Sequence, residues 1–205
     1  MLRKKDGVTL IELLIALAVS AFLMAGAYRI VIGQQKTHTV QEQVVEMQQN
    51  VRSGLDRMTR EIRMAGYRKD LLASAGNIHG FTKVITSVND ANNIIGQHDD
   101  QITVIIKDKA ITYRLQWDPA DASRPVLVRI ENGANEILAD DIENLQIKYT
   151  LRDGTVTDLP ALPESIRMVT VDVTARTKLK DPQLNGDGYL RRKLSSYMIV
   201  RNMGL

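Results

Sequence analysis

The residue best placed to do chemistry is Glu12, a single carboxylate near the start of an otherwise apolar segment, residues 7–32 (GVTLIELLIALAVSAFLMAGAYRIVI), which follows the basic leader MLRKKDG. An ionised carboxylate inside a membrane-length segment costs several kcal/mol unless it is paired. The sequence therefore predicts a functional Glu12 whose partner is a positive charge at the same depth.

The segment that carries Glu12 is long enough to cross a membrane. Between Asp6 and Arg29 lie 22 residues with one charge, and at about 1.5 Å per helical residue they span a hydrocarbon core of about 30 Å. The leader cations mark the cytoplasmic side. We expect one N-terminal membrane span, with the rest of the chain outside the cytoplasm.

Two competing interpretations of this segment remain. Ala25-Gly26-Ala27 offers a secretory cleavage pattern, after which a released domain would begin at Tyr28. A plain uncleaved anchor is the other. Glu12 argues against both, because neither a secretory apolar region nor a simple anchor gains anything from an acid.

Composition excludes several classes of function. The chain has 205 residues, no cysteine and a formal charge of +3, which leaves about 140 residues for one core. Thiolate chemistry and disulfides are absent, and much of the positive charge lies in the leader, so bulk electrostatic binding of nucleic acid is not expected.

Beyond the apolar segment the helical pattern continues. No proline precedes Pro119, and Gly66 supplies a helix stop. Apolar residues recur every three or four positions, which predicts an amphipathic helix that needs a domain to pack on. This stripe comprises Val40, Val44, Met47, Val51, Leu55, Met58, Ile62 and Ala65.

The remainder of the chain is β-rich in pattern. Asn132-Gly133 and Asp153-Gly154 each follow an alternating run and are typical of tight hairpin turns. The sequence therefore predicts an α+β fold in which a long N-terminal helix packs its second half on an antiparallel β-sheet.

Residues 7–14, Gly-Val-Thr-Leu-Ile-Glu-Leu-Leu, resemble the class III signal of type IV pilins and type II secretion pseudopilins. The resemblance implies that a prepilin peptidase cuts after Gly7, that Val8 becomes the N-methylated N-terminus, and that Glu12 is the assembly carboxylate. It also implies a type IV pilin-like fold divided into a cleaved leader, a filament-core half-helix, an amphipathic half-helix and a globular domain. The corresponding ranges are 1–7, 8–32, 33–66 and 67–205.

The subtype is suggested by looser similarities. Residues 60–67 (REIRMAGY) are similar to a region of PilW-type minor pilins, and the order of elements also resembles J-type minor pseudopilins. The resemblance implies a role in initiating a type IV pilus within a tip complex. Partners would be other minor and major pilins, the prepilin peptidase, the inner-membrane assembly platform and the lipid bilayer. A type II secretion pseudopilin, and an exported adhesin or DNA receptor, stay open as alternatives.

Two further candidates concern metal and catalysis. Residues 181–188 (DPQLNGDG) cluster oxygen ligands and glycines as calcium loops do, with Asp181, Asn185 and Asp187 as ligands, although an ordinary loop explains the same composition. His38, His79 and His98 are scattered, and the sequence has no nucleophile elbow, phosphate loop or H-E-x-x-H helix. No catalytic residue and no cofactor are predicted.

Overall fold

The computed structural model describes residues 9–67, 81–85, 101–107, 109–158, 160, 165–182 and 184–201. One long helix, α1, spans Leu10–Arg63. Nine strands follow within the described residues, all paired antiparallel. They are β1 Phe81–Ile85, β2 Gln101–Ile106, β3 Lys109–Asp118, β4 Asp121–Glu131, β5 Ala134–Asp140, β6 Ile142–Leu151, β7 Val156–Thr157, β8 Ile166–Arg176 and β9 Arg191–Ile199. The predicted fold class, a long N-terminal helix with antiparallel β-structure, is confirmed.

The described strands form two sheets where one was expected. The first sheet has the order β1-β2-β3-β4-β5 and the second has the order β7-β6-β8-β9. The chain passes from one to the other at Asp141, which lies between β5 and β6 with φ of 56°. A positive φ at a residue other than glycine is uncommon. Neither composition nor periodicity indicates that the chain leaves the first sheet at this residue and enters the second.

The chain divides into two compact units, one ending at Glu42 and the other comprising Gln43–Leu205. In the first unit, every residue from Thr9 to Thr39 is exposed. The division falls ten residues after the predicted boundary at 32/33, because that boundary was drawn where apolar composition ends. The unit boundary instead falls where α1 begins to bury side chains.

The second unit contains the hydrophobic core. The predicted stripe on α1 is confirmed from Met47 onward, since Val51, Met58 and Ile62 are at most 1% exposed. Burying each such side chain stabilises the fold by about 1.5–3 kcal/mol. Opposite them, β6 and β8 bury alternate residues, as expected of strands with one face on a core. The second half of α1 is therefore held by its own sheets.

The end of α1 is fixed by hydrogen bonds to β2. Gly66 adopts a φ of 80°, which glycine reaches without steric cost. Its N–H donates to the carbonyl of Ile105 at 2.8 Å, and the N–H of Lys107 donates to the carbonyl of Tyr67 at 2.8 Å. The helix stop predicted at Gly66 thus also joins the helix to the first sheet.

Candidate functional site

The first site lies at the start of α1, around Glu12. The Glu12 Oε2 atom accepts hydrogen bonds from the Thr9 N–H at 2.9 Å and from the Thr9 hydroxyl at 2.8 Å. In return, the Glu12 N–H donates to the Thr9 Oγ1 at 3.3 Å. This reciprocal pattern is a capping box, in which a threonine and a glutamate three residues later satisfy free N–H groups of the first helical turn.

The capping box adds Thr9 to the site, a residue that the sequence analysis did not single out. The signal was present, because Thr-x-x-Glu before an apolar run is a helix-start pattern. Gly7 and Val8, the predicted cleavage and methylation residues, lie outside the described residues, as does the rest of the leader. Their roles stay predictions.

The apolar half of α1 surrounds this site with uncovered hydrophobic surface. Leu10, Phe22 and Leu23 are 77%, 82% and 67% exposed, and at 3.6 residues per turn they point in three different directions around the helix. Within the described residues, α1 is the helix long and apolar enough to cross a membrane, with a mean hydropathy of 2.3 over an 18-residue window and none of that window buried. A helix that is apolar all round needs lipid or other helices around it.

The second half of α1 carries a polar cluster that holds it on the first sheet. The Arg129 Nε of β4 donates to Glu61 of α1 at 2.9 Å, the Tyr113 hydroxyl of β3 donates to the same carboxylate, and the Arg129 Nη2 donates to Glu131 at 2.6 Å. Tyr113 is fully buried and Arg129 is 8% exposed. A buried charge is tolerable only when it is paired and hydrogen-bonded, and these partners meet that condition.

The electrostatics of this polar cluster agree with its geometry. Burial, together with the adjacent Glu61 carboxylate, raises the pKa of Tyr113. Burial alone would lower the pKa of Arg129, but the hydrogen bonds to Glu61 and Glu131 raise it. Hydrogen bonds from Lys109 and Arg129 lower the pKa of Glu131 to about 2. Arg129 and Glu131 are therefore charged at neutral pH, and Tyr113 is protonated.

The loop at 181–188 is organised around an arginine. The Asp187 carboxylate accepts hydrogen bonds from the Arg191 guanidinium, at 2.9 Å from Nη1, and from the Tyr189 N–H at 3.3 Å. The Asp181 N–H closes the loop on the Gly188 carbonyl at 2.7 Å. Across the described residues, no group of three or more His, Cys, Asp or Glu side chains could hold a metal ion. A calcium ion at Asp187 would have to displace Arg191.

Comparison with known proteins identifies the N-terminal site. The family described as "Prokaryotic N-terminal methylation motif" matches residues 2–28. The solved structures include a similar chain, the type IV-like pilin TTHA1219 from Thermus thermophilus, at 10% identity, covering 76% of this chain and 97% of that chain with a TM-score of 0.46. No curated protein matches the chain.

The match at residues 2–28 thus confirms the prepilin-type class III signal that residues 7–14 resemble. The fold that follows this signal is one long helix with antiparallel sheets. Pilins assemble with other pilins after processing by a prepilin peptidase. The apolar helix and the motif suit a single-pass inner-membrane anchor.

Proposed function

We propose that this chain is a minor subunit of a type IV pilus, which takes part in initiation of the filament within a tip complex of minor pilins. The observation that carries the proposal is that the methylation motif at residues 2–28 coincides with a half-helix that leaves its apolar side chains exposed. Such a half-helix is stable in the inner membrane before assembly and among neighbouring helices afterwards.

The chemistry of assembly is a charge pairing. Cleavage after Gly7 exposes an ammonium group on Val8, which is then methylated and keeps its charge. A neighbouring helix with an axial stagger brings this cation to Glu12, and at low dielectric the penalty for leaving either charge alone selects the correct register. Before that encounter, the hydrogen bonds from Thr9 reduce the cost of holding the carboxylate in lipid.

Assignment as a minor subunit is supported by two features of the sequence. The residue after the cut is Val8, where major pilins commonly have phenylalanine, and no proline interrupts α1. A minor pseudopilin of a type II secretion system would use the same processing and the same Glu12. Genes neighbouring the one for this chain distinguish the two machines. We assign the chain no catalytic activity.

The first test is the intact mass and N-terminal peptide of the full chain recovered from its native membrane. Pilin-type processing gives a chain that begins at N-methylated Val8. A chain beginning at Tyr28 would instead identify a released domain, and a chain retaining Met1 would identify an unprocessed anchor. Either of these results would contradict the proposal.

The second test separates the charge of Glu12 from its role in the helix cap. Glutamine can also close a capping box, so Glu12→Gln removes the charge and keeps the cap, whereas Glu12→Ala removes both. If charge pairing drives assembly, both variants are processed and membrane-bound but enter filaments at less than a tenth of the wild-type level, a loss of about 1.4 kcal/mol or more. Normal incorporation of Glu12→Gln would show that only the cap matters.

We also propose that the 181–188 loop functions without a bound ion. Because Arg191 already neutralises Asp187, we expect millimolar calcium to leave the melting temperature of the full chain unchanged in detergent. A calcium-dependent rise that is lost in Asp187→Ala would contradict this expectation and would restore Asp181, Asn185 and Asp187 as ligands.

A further inference from the structure

Strand β9 differs from the other edge strands of the described sheets. β1 has five residues and an irregular register with β2, and β7 has two residues. β5 is covered by α1, since Asn50 donates to the Asp140 carbonyl at 3.4 Å. β9 instead has nine residues that pair with β8 without a register shift. A long, regular edge is what natural sheets usually avoid.

Two hydrogen bonds that flank β9 show which of its residues turn their N–H and C=O groups towards β8. The Thr177 N–H donates to the Leu190 carbonyl at 2.9 Å, and the Val200 N–H donates to the Arg167 carbonyl at 3.2 Å. Both pairs continue the β8–β9 register. Hydrogen-bonded pairs alternate along an antiparallel ladder, so the even-numbered residues of β9 bond to β8. The odd-numbered residues therefore turn their N–H and C=O groups to the outer edge.

The side chains of β9 are basic at the start of the strand and uncharged over the rest of it. The first three residues are basic: Arg191 pairs with Glu143 at 2.6 Å, and Lys193 pairs with Asp172 at 2.7 Å, whereas Arg192 has no ion pair among the described residues. From Leu194 to Ile199 there is no charge. Tyr197 is 73% exposed. Charged side chains commonly prevent an edge strand from pairing with another chain, and in β9 they are present only at the Arg191 end.

We propose that the outer edge of β9 binds an extended segment of another pilin-like subunit, which adds to the second sheet as a further strand. Main-chain hydrogen bonds to the odd-numbered residues would supply affinity, and side chains would supply selectivity. Arg192, which has no ion pair within the described part of the chain, selects an acidic residue at one end of the incoming segment. The uncharged stretch Leu194–Ile199 selects apolar residues along the rest. That the partner is a filament subunit rests on the function proposed above.

A second copy of β9 is a poorer partner than a strand of a different subunit. Parallel, in-register pairing would place two basic blocks side by side, which is destabilising. Antiparallel pairing would relate the copies by a two-fold axis perpendicular to the sheet. That axis reverses every element lying along the sheet, including the second half of α1, whereas subunits anchored in one membrane enter a filament in the same direction.

The test is residue-resolved amide hydrogen exchange, first on the free domain Gln43–Leu205, which contains every buried residue of the described chain. We expect the amides of Lys193, Ser195 and Tyr197 to exchange at least about tenfold faster than those of Leu194, Ser196 and Met198, because only the latter bond to β8. Equal protection of both sets would show that the edge is already covered, and would overturn the proposal.

The soluble domains of the other pilin-like proteins of the same organism are then added one at a time as probes. We expect one of them to bind and to slow the odd-numbered amides of β9 by at least about tenfold. Binding of none, or binding that leaves these amides unchanged, would overturn the proposal.

A matched pair of variants tests whether a backbone N–H of β9 contributes to binding. Ser195→Pro removes an outward N–H, while Ser195→Ala keeps it, and both lose the Ser195 hydroxyl that bonds Asp172. Proline at an outward-facing edge position leaves the ladder intact, so both domains should melt cooperatively. We expect Ser195→Pro to weaken binding at least about tenfold, equivalent to about 1.4 kcal/mol, relative to Ser195→Ala. Equal binding by the two variants would overturn the proposal.

These outcomes are independent of the test of the proposed function. If Glu12→Gln fails to assemble but β9 binds no subunit, the filament function stands and the edge proposal fails. If β9 binds a subunit in the expected manner but the chain is not processed at Val8, the edge proposal stands and the filament function fails.

Discussion

The two halves of α1 are one continuous helix with opposite relations to the rest of the protein. Up to Thr39 every described residue is exposed, whereas from Met47 onward a stripe of side chains is buried. The first half is apolar nearly all round, and the second is amphipathic. The environment that stabilises the first half therefore lies outside the chain, in lipid or in other subunits, while the second half is stabilised by its own sheets.

This contrast explains how one helix can be a membrane anchor in its first half and part of the globular domain in its second. The buried stripe and the polar cluster around Glu61 hold the second half in place without help from the first. In the function proposed above, the first half exchanges a lipid environment for a protein environment while the globular domain keeps its fold. Substitutions in the two halves should consequently act on different measurements.

The largest expected effect comes from the polar cluster. Glu61→Ala leaves Arg129 and the Tyr113 hydroxyl buried without their shared acceptor, and it should lower the free energy of unfolding by about 4 kcal/mol. Glu42 is the matched control on the same helix, because it is exposed and pairs only with His38 at 3.1 Å among the described residues. Glu42→Ala should change stability by less than about 0.5 kcal/mol. Urea unfolding of the full chain in detergent measures both.

If both glutamate variants lose the same stability, the hydrogen bonds that Glu61 accepts from Tyr113 and Arg129 do not hold the second half of α1. Glu61→Gln sharpens the result, because it keeps an acceptor for Tyr113 and Arg129 but removes the charge. An intermediate loss is expected for this variant.

The second expected effect concerns apolar side chains. Ile62 is fully buried, whereas Leu17 is 63% exposed. Ile62→Ala should cost about 3 kcal/mol through lost burial and the cavity that remains. Leu17→Ala should leave unfolding of the domain unchanged and weaken membrane retention, measured by fractionation of cells. A clear loss of domain stability in Leu17→Ala would show that the first half contributes to the core.

How far the sequence predicted these features depends on whether their signal is local. The stripe from Met47 to Ile62 follows the helical period, and Glu12 is conspicuous as an acid among apolar residues, so both could be predicted. The Thr9–Glu12 capping box was equally local but was overlooked. The Asn132-Gly133 turn predicted a strand after β4, but the extent of β5 (ANEILAD) could not be predicted, because its small and acidic residues give no strand pattern.

The polar cluster could not be predicted, because its members are far apart in the chain. Tyr113 and Arg129 lie 52 and 68 positions after Glu61. Only the paths of β3 and β4 across α1 bring them together. The position of β9 at an edge of the described second sheet is likewise a property of the sheet order, which the residues of the strand do not show.

The third expected effect compares two glycines of α1. An ideal Cβ at Gly54 would lie 3.2 Å from the Ala139 Cβ and 3.3 Å from the Leu138 carbonyl oxygen, whereas a Cβ at Gly33 would meet nothing within 4 Å in the described structure. Gly54→Val should therefore destabilise the domain by about 2 kcal/mol through overpacking against β5. Gly33→Val should leave the domain unchanged, as judged by urea unfolding. Equal effects would mean that α1 does not approach β5 this closely.

The smallest expected effect is a dependence of the second unit's stability on acid, through Glu131. The folded pKa of Glu131 is about 2, below its ordinary value of 4.5, because Lys109 and Arg129 donate hydrogen bonds to its carboxylate. As pH falls below 4.5, the unfolded chain binds a proton at this residue before the folded chain does. The stabilisation is therefore complete above about pH 4.5 and is lost as pH approaches 2.

Glu131→Gln tests this dependence, because it has no carboxylate to titrate. Stability of the wild type should exceed that of the variant at neutral pH, and the difference should shrink steadily between pH 4.5 and 2 in urea unfolding experiments. If the difference in free energy of unfolding between wild type and variant stayed constant with pH, Glu131 would not contribute to the contacts that hold the second half of α1.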